Sequence, residues 1–366
     1  MALLPNGNFL VTEGPGTMRI VTAAGKVSAP LRNVPAVKRV AAEGLHDVVL
    51  DPDFANNRLV YFTYFAPPKG EEPKEWPVTH FYEDVWTKSL AERRVLDLGT
   101  ERIAVARLSN DESSLEKVDV LIEGGTERRL AFAPDGKLFG IGADQFRFYD
   151  SELDGVEGRD FQSEPDITRN FTGRVIRLNK DGTIPGDNPW LGRATVRRET
   201  YAHGFKDPEG AAINPKTGAL WVVDHGPQGG DEVNIVKPGA DYGWPNVTYG
   251  VQYDARQADG RKNVKVGKGL TQLPGVEQPR YFWVPSIAPS GMAFYTGSMF
   301  PQWQGDLFVG AMAGKALVHL KLDGDRVVSE ERLLTDLGQR IREVRVGRDG
   351  AVYIFAGNSL RRLVKK

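Results

Sequence analysis

The chain has 366 residues, 40% hydrophobic and 10% aromatic, with 47 Lys+Arg against 48 Asp+Glu and a net charge of −1. Charges of both signs are interspersed, which excludes the basic stripe that a nucleic-acid partner requires. No apolar run approaches the roughly 20 residues of a bilayer span. The absence of cysteine excludes disulfides, thiolate metal sites and cysteine nucleophiles.

Strand-like sequence begins at Met1 without a signal-peptide pattern, so either a cytosolic protein or a mature form that has lost its leader is expected. A turn phrase followed by a β-rich run then recurs along the chain. It reads Leu4-Pro5-Asn6-Gly7 before NFLVTEG, Asp51-Pro52-Asp53 before NNRLVYFTYF, and Ala133-Pro134-Asp135-Gly136 before KLFGIGAD. It returns as Asn214-Pro215-Lys216-Thr217-Gly218 before ALWVVDHG, as 301–306 before LFVGAM, and as Gly347-Arg348-Asp349-Gly350 before AVYIFAG. Pro presets φ and Asn-Gly or Asp-Gly supplies the positive φ of a tight turn. The runs that follow have the β-branched and aromatic content of half-buried strands. Six such units predict one domain over 1–366, an all-β six-bladed β-propeller. Two β-sandwiches are the alternative. The chain starts inside a unit, so the closing strand of the ring is either supplied by 359–366 or missing.

Two stretches interrupt the repeat. A charged and aromatic insertion at about 67–100 carries Trp76, Phe81, Tyr82 and Trp86, and is expected to decorate the surface or to form a lid or subunit contact, with a homodimer as one outcome. The second, 144–170, is polar and reads as a long loop on the axial face.

Several segments carry a resemblance. They are GLHDVVLDPDFANNRLVYFTY from Gly44, TGRVIRLNKDGTIPGDNPW (172–190), HGFKDPEGAAINPKTGALWVVDHGPQGGDEVNIVKPGADYGWPNVTYG (203–250), PSIAPSGMAFYTG (285–297), and Arg340–Arg342 followed by GRDG (347–350). Together they resemble the soluble glucose/sorbosone dehydrogenases that use pyrroloquinoline quinone (PQQ). The resemblance implies a six-bladed propeller, a periplasmic or secreted location, and oxidation of a carbohydrate at its anomeric carbon with hydride transfer to PQQ. It places the quinone's calcium on the main-chain carbonyls of Gly226 and Pro227, with His225 beside them as a further candidate ligand. A second calcium falls on the Glu232 side chain and the Tyr242 carbonyl. Calcium takes hard oxygen ligands, which suits this set. Arg340 and Arg342, with Lys206 and Asp207, fall where the quinone is bound; residues i and i+2 of a strand face one side, and guanidinium forks suit carboxylates.

Other positions depart from the resemblance. The family's proton-abstracting His falls on Gly125, which cannot take a proton. An Arg-Asn pair reads Lys206-Asp207, which adds a negative charge. A Gln falls on Ala42, and a Lys falls on Ala313 with Lys315 nearby. His46-Asp47, His203 and His225 are new polar groups at segment ends that should point toward the axis. His46 and His203, with Asp144 close to where the family carries an Asp after its third-unit strand, are the candidate catalytic bases. His46, Asp47, His203 and His225 are also candidate ligands of a divalent metal. Three functions stay open. They are a PQQ-dependent sugar dehydrogenase, a quinone-free metal-dependent lyase, lactonase or epimerase, and a catalytically altered propeller that binds a carbohydrate or protein.

Overall fold

The structure, a computed structural model, describes residues 1–39, 44–70, 99–143, 173–194, 196–253, 260 and 262–365. Six antiparallel sheets follow one another along the chain. Blade 1 is β1 (Ala2–Leu3), β2 (Phe9–Glu13) and β3 (Thr17–Val21). Blade 2 is β4 (Leu45–Leu50), β5 (Leu59–Ala66), β6 (Thr100–Leu108) and β7 (Leu115–Gly125), with a one-turn helix, α1 (Phe54–Asn57), between its first two strands. Blade 3 is β8 (Glu127–Phe132), β9 (Leu138–Gly142), β10 (Arg174–Leu178) and β11 (Thr200–His203). Blade 4 is β12 (Pro208–Ile213), β13 (Leu220–Asp224), β14 (Asp231–Ile235) and β15 (Tyr281–Trp283). Blade 5 is β16 (Pro289–Phe294), β17 (Leu307–Ala311), β18 (Ala316–Asp323) and β19 (Arg326–Leu333), and blade 6 is β20 (Ile341–Val346), β21 (Val352–Ala356) and β22 (Ser359–Leu363).

The first strand of each blade packs against the first strand of the next, from β1 and β4 round to β16 and β20, so these six strands line a common axis. The fold is a six-bladed β-propeller, and the two-sandwich alternative is set aside. Each turn phrase is the hairpin that carries an axial strand outward to its neighbour; Gly136, for example, sits at φ 78° in the β8–β9 turn. The closing strand does not come from the C-terminal segment: 359–363 pairs with β21 in its own blade, and β3 pairs with β2.

Period-2 alternation sends successive side chains to opposite faces of a blade, so each blade has two apolar faces. In β5, Phe62 packs toward blade 1 and Tyr61 toward blade 3. Buried apolar clusters accordingly fill the gap between every neighbouring pair of blades. The ring closes where Phe9 and Val21 of blade 1 meet Tyr353, Phe355 and Leu360 of blade 6, with the Phe9 and Tyr353 rings 4.9 Å apart. Among the described residues no helix is long and apolar enough to cross a membrane. Trp76, Phe81, Tyr82 and Trp86, with the rest of 71–98, lie outside the described residues, as do 144–172.

Candidate active site

Five of the six axial strands share one irregularity. The ladder to the second strand shifts register near the start of β4 (Leu45/Val48), β8 (Glu127/Arg129), β12 (Pro208/Gly210), β16 (Pro289/Met292) and β20 (Ile341/Glu343). A bulge frees a residue from the ladder and re-aims its side chain. The residues released are His46 and Asp47, Arg128, Glu209, Ser290 and Gly291, and Arg342. All stand at the ends where the axial strands begin, so one mouth of the hub is furnished mostly by bulged residues.

The floor beneath this mouth is ionic. Arg129 of blade 3 reaches Glu343 of blade 6 at 2.9 Å, three blades away around a ring of six, so this pair spans the axis. Arg345 pairs with Glu343 at 2.7 Å and with Asp47 at 3.5 Å. Asp47 also accepts the Leu130 backbone N–H at 3.1 Å, tying blade 2 to blade 3. Burial alone would weaken the Arg129 proton, but Glu343, Asp47 and Glu209 around it hold it firmly. Burial alone would raise the Glu343 carboxyl, but Arg345 and Arg129 keep it well below the usual carboxylate range.

One layer up, Arg128 donates to Asp207 at 2.7 Å and to Glu209 at 3.2 Å, and its side chain and that of Asp207 are both buried. The negative charge that Asp207 brings is therefore taken up by Arg128. Sequence reasoning missed this partner, although three charged residues in ERRL opening an apolar strand were a signal. Lys206 is buried, with Nζ 5.5 Å from the Trp244 ring and 5.9 Å from the Tyr253 ring, a cation–π cage. The Lys206 and Asp207 backbone N–H groups both donate to Asp224, at 2.9 and 2.6 Å. Burial still pushes the Asp224 carboxyl up to about 7, those two N–H groups opposing it.

Arg340 and Arg342 flank Ile341 at the start of β20, and both are exposed. Among the described residues neither has a carboxylate partner; Arg340 touches only the Met312 sulfur at 3.5 Å. The Arg342 proton is loosened by its desolvated position in the concave mouth, with Glu209 opposing and Arg129, Arg340 and Arg128 adding repulsion. Arg128, Lys206, Arg340 and Arg342 thus outnumber Asp207 and Glu209, and the mouth is cationic. That charge balance fits a polycarboxylate.

The Gly226–Pro227 turn is held rigidly. The Gly226 N–H donates to Asp231 Oδ1 at 3.0 Å, while Asp231 Oδ2 accepts the Ser286 hydroxyl at 2.7 Å and the Ile287 and Ala288 N–H groups at 2.8 and 2.9 Å. A Cβ on Gly226 would strike the carbonyls of Gly229 and Gly230, so the turn folds tightly on itself. Neither the Gly226 nor the Pro227 carbonyl accepts a hydrogen bond among the described residues. Glu232 lies opposite Asp224 in the β13–β14 ladder. Burial pushes its carboxyl up to about 8; the Asn234 amide opposes this, and Asp224 and Asp231 add to it. Tyr242 is fixed by its hydroxyl, which donates to Ile235 O at 2.6 Å, and by its ring, stacked on Phe205 at 4.4 Å. Carbonyls without donors beside crowded carboxyls are a donor set that a hard cation would relieve.

The histidines do not gather. His46 Nε2 lies 3.6 Å from Glu101, and His203, on the outermost strand of blade 3, lies 3.5 Å from Asp241. His225 Nδ1 lies 3.7 Å from Asp207, and its Nε2 sits against the Pro289 carbonyl. Among the described residues no three His, Asp or Glu side chains form a metal-ligand set. Asp144 and Ala42 lie outside the described residues. Ala313 and Lys315 are exposed beyond β17.

A profile of glucose/sorbosone dehydrogenases matches residues 1–365. The chain belongs to the glucose/sorbosone dehydrogenase family. Among relatives of this family, aldose sugar dehydrogenase YliI of Escherichia coli (strain K12) is 36% identical over 100% of this chain and 88% of its own length. Quinoprotein glucose dehydrogenase B of Acinetobacter calcoaceticus is 26% identical over 76% of this chain and 65% of its own. A solved glucose dehydrogenase superposes with a TM-score of 0.80 at 36% identity, covering 99% of this chain and 95% of that one. Membership makes this chain a sugar dehydrogenase-like oxidoreductase.

Proposed function

We propose that this glucose/sorbosone dehydrogenase family member oxidises the hydroxyl of an aldose or related alcohol with PQQ as the electron acceptor, in the periplasm or outside the cell. The observation that carries this reading is the pair of guanidiniums, Arg340 and Arg342, standing without carboxylate partners over a cationic hub. The Acinetobacter relative is a quinoprotein; for this chain quinone dependence is supported by that anion-ready mouth. Arg340, Arg342 and Lys206 would hold the quinone's carboxylates. Asp207, neutralised by Arg128, would border it without repelling it. The Gly226 and Pro227 carbonyls would hold a calcium ion beside it, and Glu232 with the Tyr242 carbonyl a second one. When bound, PQQ supplies a two-electron acceptor whose carbonyl the calcium polarises.

Of the bases proposed from sequence, His46 sits on an axial strand beside Glu101, and His203 lies on an outer strand. The quinone-free metal enzyme needed His46, Asp47, His203 and His225 to converge, and each has a separate partner, so no observation favours it. The test is a visible-range titration of the protein with PQQ and calcium, followed by dye-linked oxidation of a panel of aldoses. Saturable quinone binding with dye reduction is expected. Absence of both would overturn the reading.

A further inference from the structure

Glu127 opens β8 at the mouth end of the apolar layer between blades 2 and 3, and it is 1% exposed. Two glycines clear its place. A Cβ on Gly125, the last residue of β7, would fall inside the Glu127 carboxylate. A Cβ on Gly140 of β9 would come within 2.8 Å of Glu127 Cγ, at a point where Ile103 and Ile176 also converge at 3.0 Å. Side chains at 125 and at 127 thus compete for one volume, and here the carboxylate has it.

This carboxylate differs from its neighbours on the axial strands. Asp47, Glu209 and Glu343 each pair with an arginine. Glu127 has no ion-pair partner among the described residues, and its Oε1 has no hydrogen-bond partner. A buried, unpaired carboxylate is unfavourable unless it carries a proton. The charged groups facing it are Arg197 and Glu199, from the segment entering β11. On β6, Glu101 is the ladder partner of Gly125 and is turned to His46. Gly125, Gly140, Ile103 and Ile176 present nothing that titrates. Burial pushes the Glu127 carboxyl up to about 7, the Glu127 N–H and Arg197 opposing and Glu199 adding to the rise. An acid of that strength exchanges protons at neutral pH, as a general base must.

We propose that Glu127 is the proton acceptor of this site. The proposal rests on the dehydrogenase reading above. The substrate O–H bond breaks and its proton passes through one water to Oε1, which is closed to direct contact. The C–H bond breaks with its electron pair leaving as hydride to the quinone-class acceptor, and C–OH becomes C=O. One proton and one hydride leave the sugar per turnover.

Glu127→Gln keeps the shape and removes the proton affinity. It is expected to lower kcat of dye-linked oxidation by about 100-fold or more while leaving quinone affinity within about 2-fold of wild type. The wild-type rise of kcat/KM through an inflection near pH 7 should vanish. In quinone-free protein, carbon-13 carboxyl spectra of labelled glutamates should show one group titrating near 7 that E127Q lacks. Glu127→Gly combined with Gly125→His puts an imidazole into the same volume. It should recover at least about a tenth of wild-type kcat, with the inflection moved toward about 6.5. This pair also decides the matter if E127Q fails to fold. The proposal is overturned if E127Q binds quinone and keeps more than about a third of wild-type kcat with its inflection intact, or if no glutamate titrates near neutrality. A wild-type protein that neither binds quinone nor oxidises an aldose sinks the dehydrogenase reading itself, and the role of Glu127 with it.

Discussion

Breaking the Arg128–Asp207 pair tests whether the mouth is organised by compensating charge. At 2.7 Å and an effective dielectric near 20, the attraction amounts to about 6 kcal/mol before desolvation is subtracted. Arg128→Met takes from buried Asp207 its partner at 2.7 Å, with His225 standing farther off at 3.7 Å, and leaves Glu209 with Arg129 at 3.9 Å. Removing one partner of such a pair costs about 3–5 kcal/mol, because the stranded charge stays buried. Asp207→Asn is milder, since Arg128 keeps Glu209 at 3.2 Å; a loss of about 1–2 kcal/mol is expected. In the double variant no charge is stranded at Asp207, so the effects should fall short of additivity by about 2 kcal/mol or more. At about 2.1 cal/mol/K of unfolding entropy per residue, 1 kcal/mol moves the Tm of a chain this long by roughly 1 °C. The Arg128→Met shift should therefore be about 3–6 °C. Calorimetry on the four proteins at one pH measures the cycle. A coupling below about 0.5 kcal/mol would refute the reasoning, because it would mean that the two charges are solvated independently.

Arg342→Ala, with no carboxylate to strand, should leave Tm within about 1 °C, yet weaken quinone binding by roughly 10- to 100-fold, the worth of a charge-assisted hydrogen bond; absorbance titration reads it, and added salt should narrow the difference. Glu127 carries its proton to about pH 7 in the folded chain but only to about 4.3 when unfolded. Between those values the folded state binds more protons, so stability falls as pH rises through that window, and the deficit is complete above it. Glu127→Gln should therefore be more stable than wild type at pH 8, by on the order of 2–3 kcal/mol, and indistinguishable near pH 4. Denaturation at the two pH values checks this, and a pH-independent difference would refute it. Calcium in excess should stabilise the fold through mass action, by about 2.7 kcal/mol at 100 times its Kd, and so raise Tm, and chelation should reverse it. Glu232→Gln should remove part of that increment; an unchanged increment would take Glu232 out of the calcium set.

The propeller was legible because its turns have fixed chemistry. Five of the six repeated phrases contain the glycine that a positive φ demands, and the second substitutes α1 with Arg58 at φ 55°. All six phrases fall at the hairpin leaving an axial strand, so counting them counted the blades. The site was legible only where the backbone makes it. The Gly226-Pro227 turn and the place of Arg340 and Arg342 at the start of β20 could be read because turns and strand starts carry fixed chemistry. Arg128 and Glu127 could not be placed, since a bulge carries no residue signature and decides which way each side chain points. An unbulged β8 alternates sides at every step, and a single inserted residue reverses the assignment from there on. His46, His203 and His225 failed to converge for a related reason. Segment ends at the same face of a propeller differ in radius: His203 ends an outermost strand, whereas His46 lies in an innermost one.

Bulges at the mouth also explain how this hub can carry so many charges while keeping its sheets. A residue on the ladder is bound by its cross-strand partners and by the apolar layers on both faces, so a charge there would lie between blades. A residue expelled from the ladder answers only to what stands across the axis. Arg128 and Glu209 occupy such positions on adjacent blades, and the pairing of Arg128 with Asp207 and Glu209 uses side chains the sheets do not need. Glu127 is the limiting case. It stands at the edge of the bulge, still inside the interblade layer, and it has no counter-ion among the described residues. Substitutions at the expelled positions should therefore change binding, with little effect on stability when both charges of a pair change together. Substitution of Gly140 within β9 should be expensive by comparison. Its Cβ would press on Glu127, Ile103 and Ile176 at 2.8–3.0 Å, and overpacking of a layer bounded by strands costs about 1–3 kcal/mol.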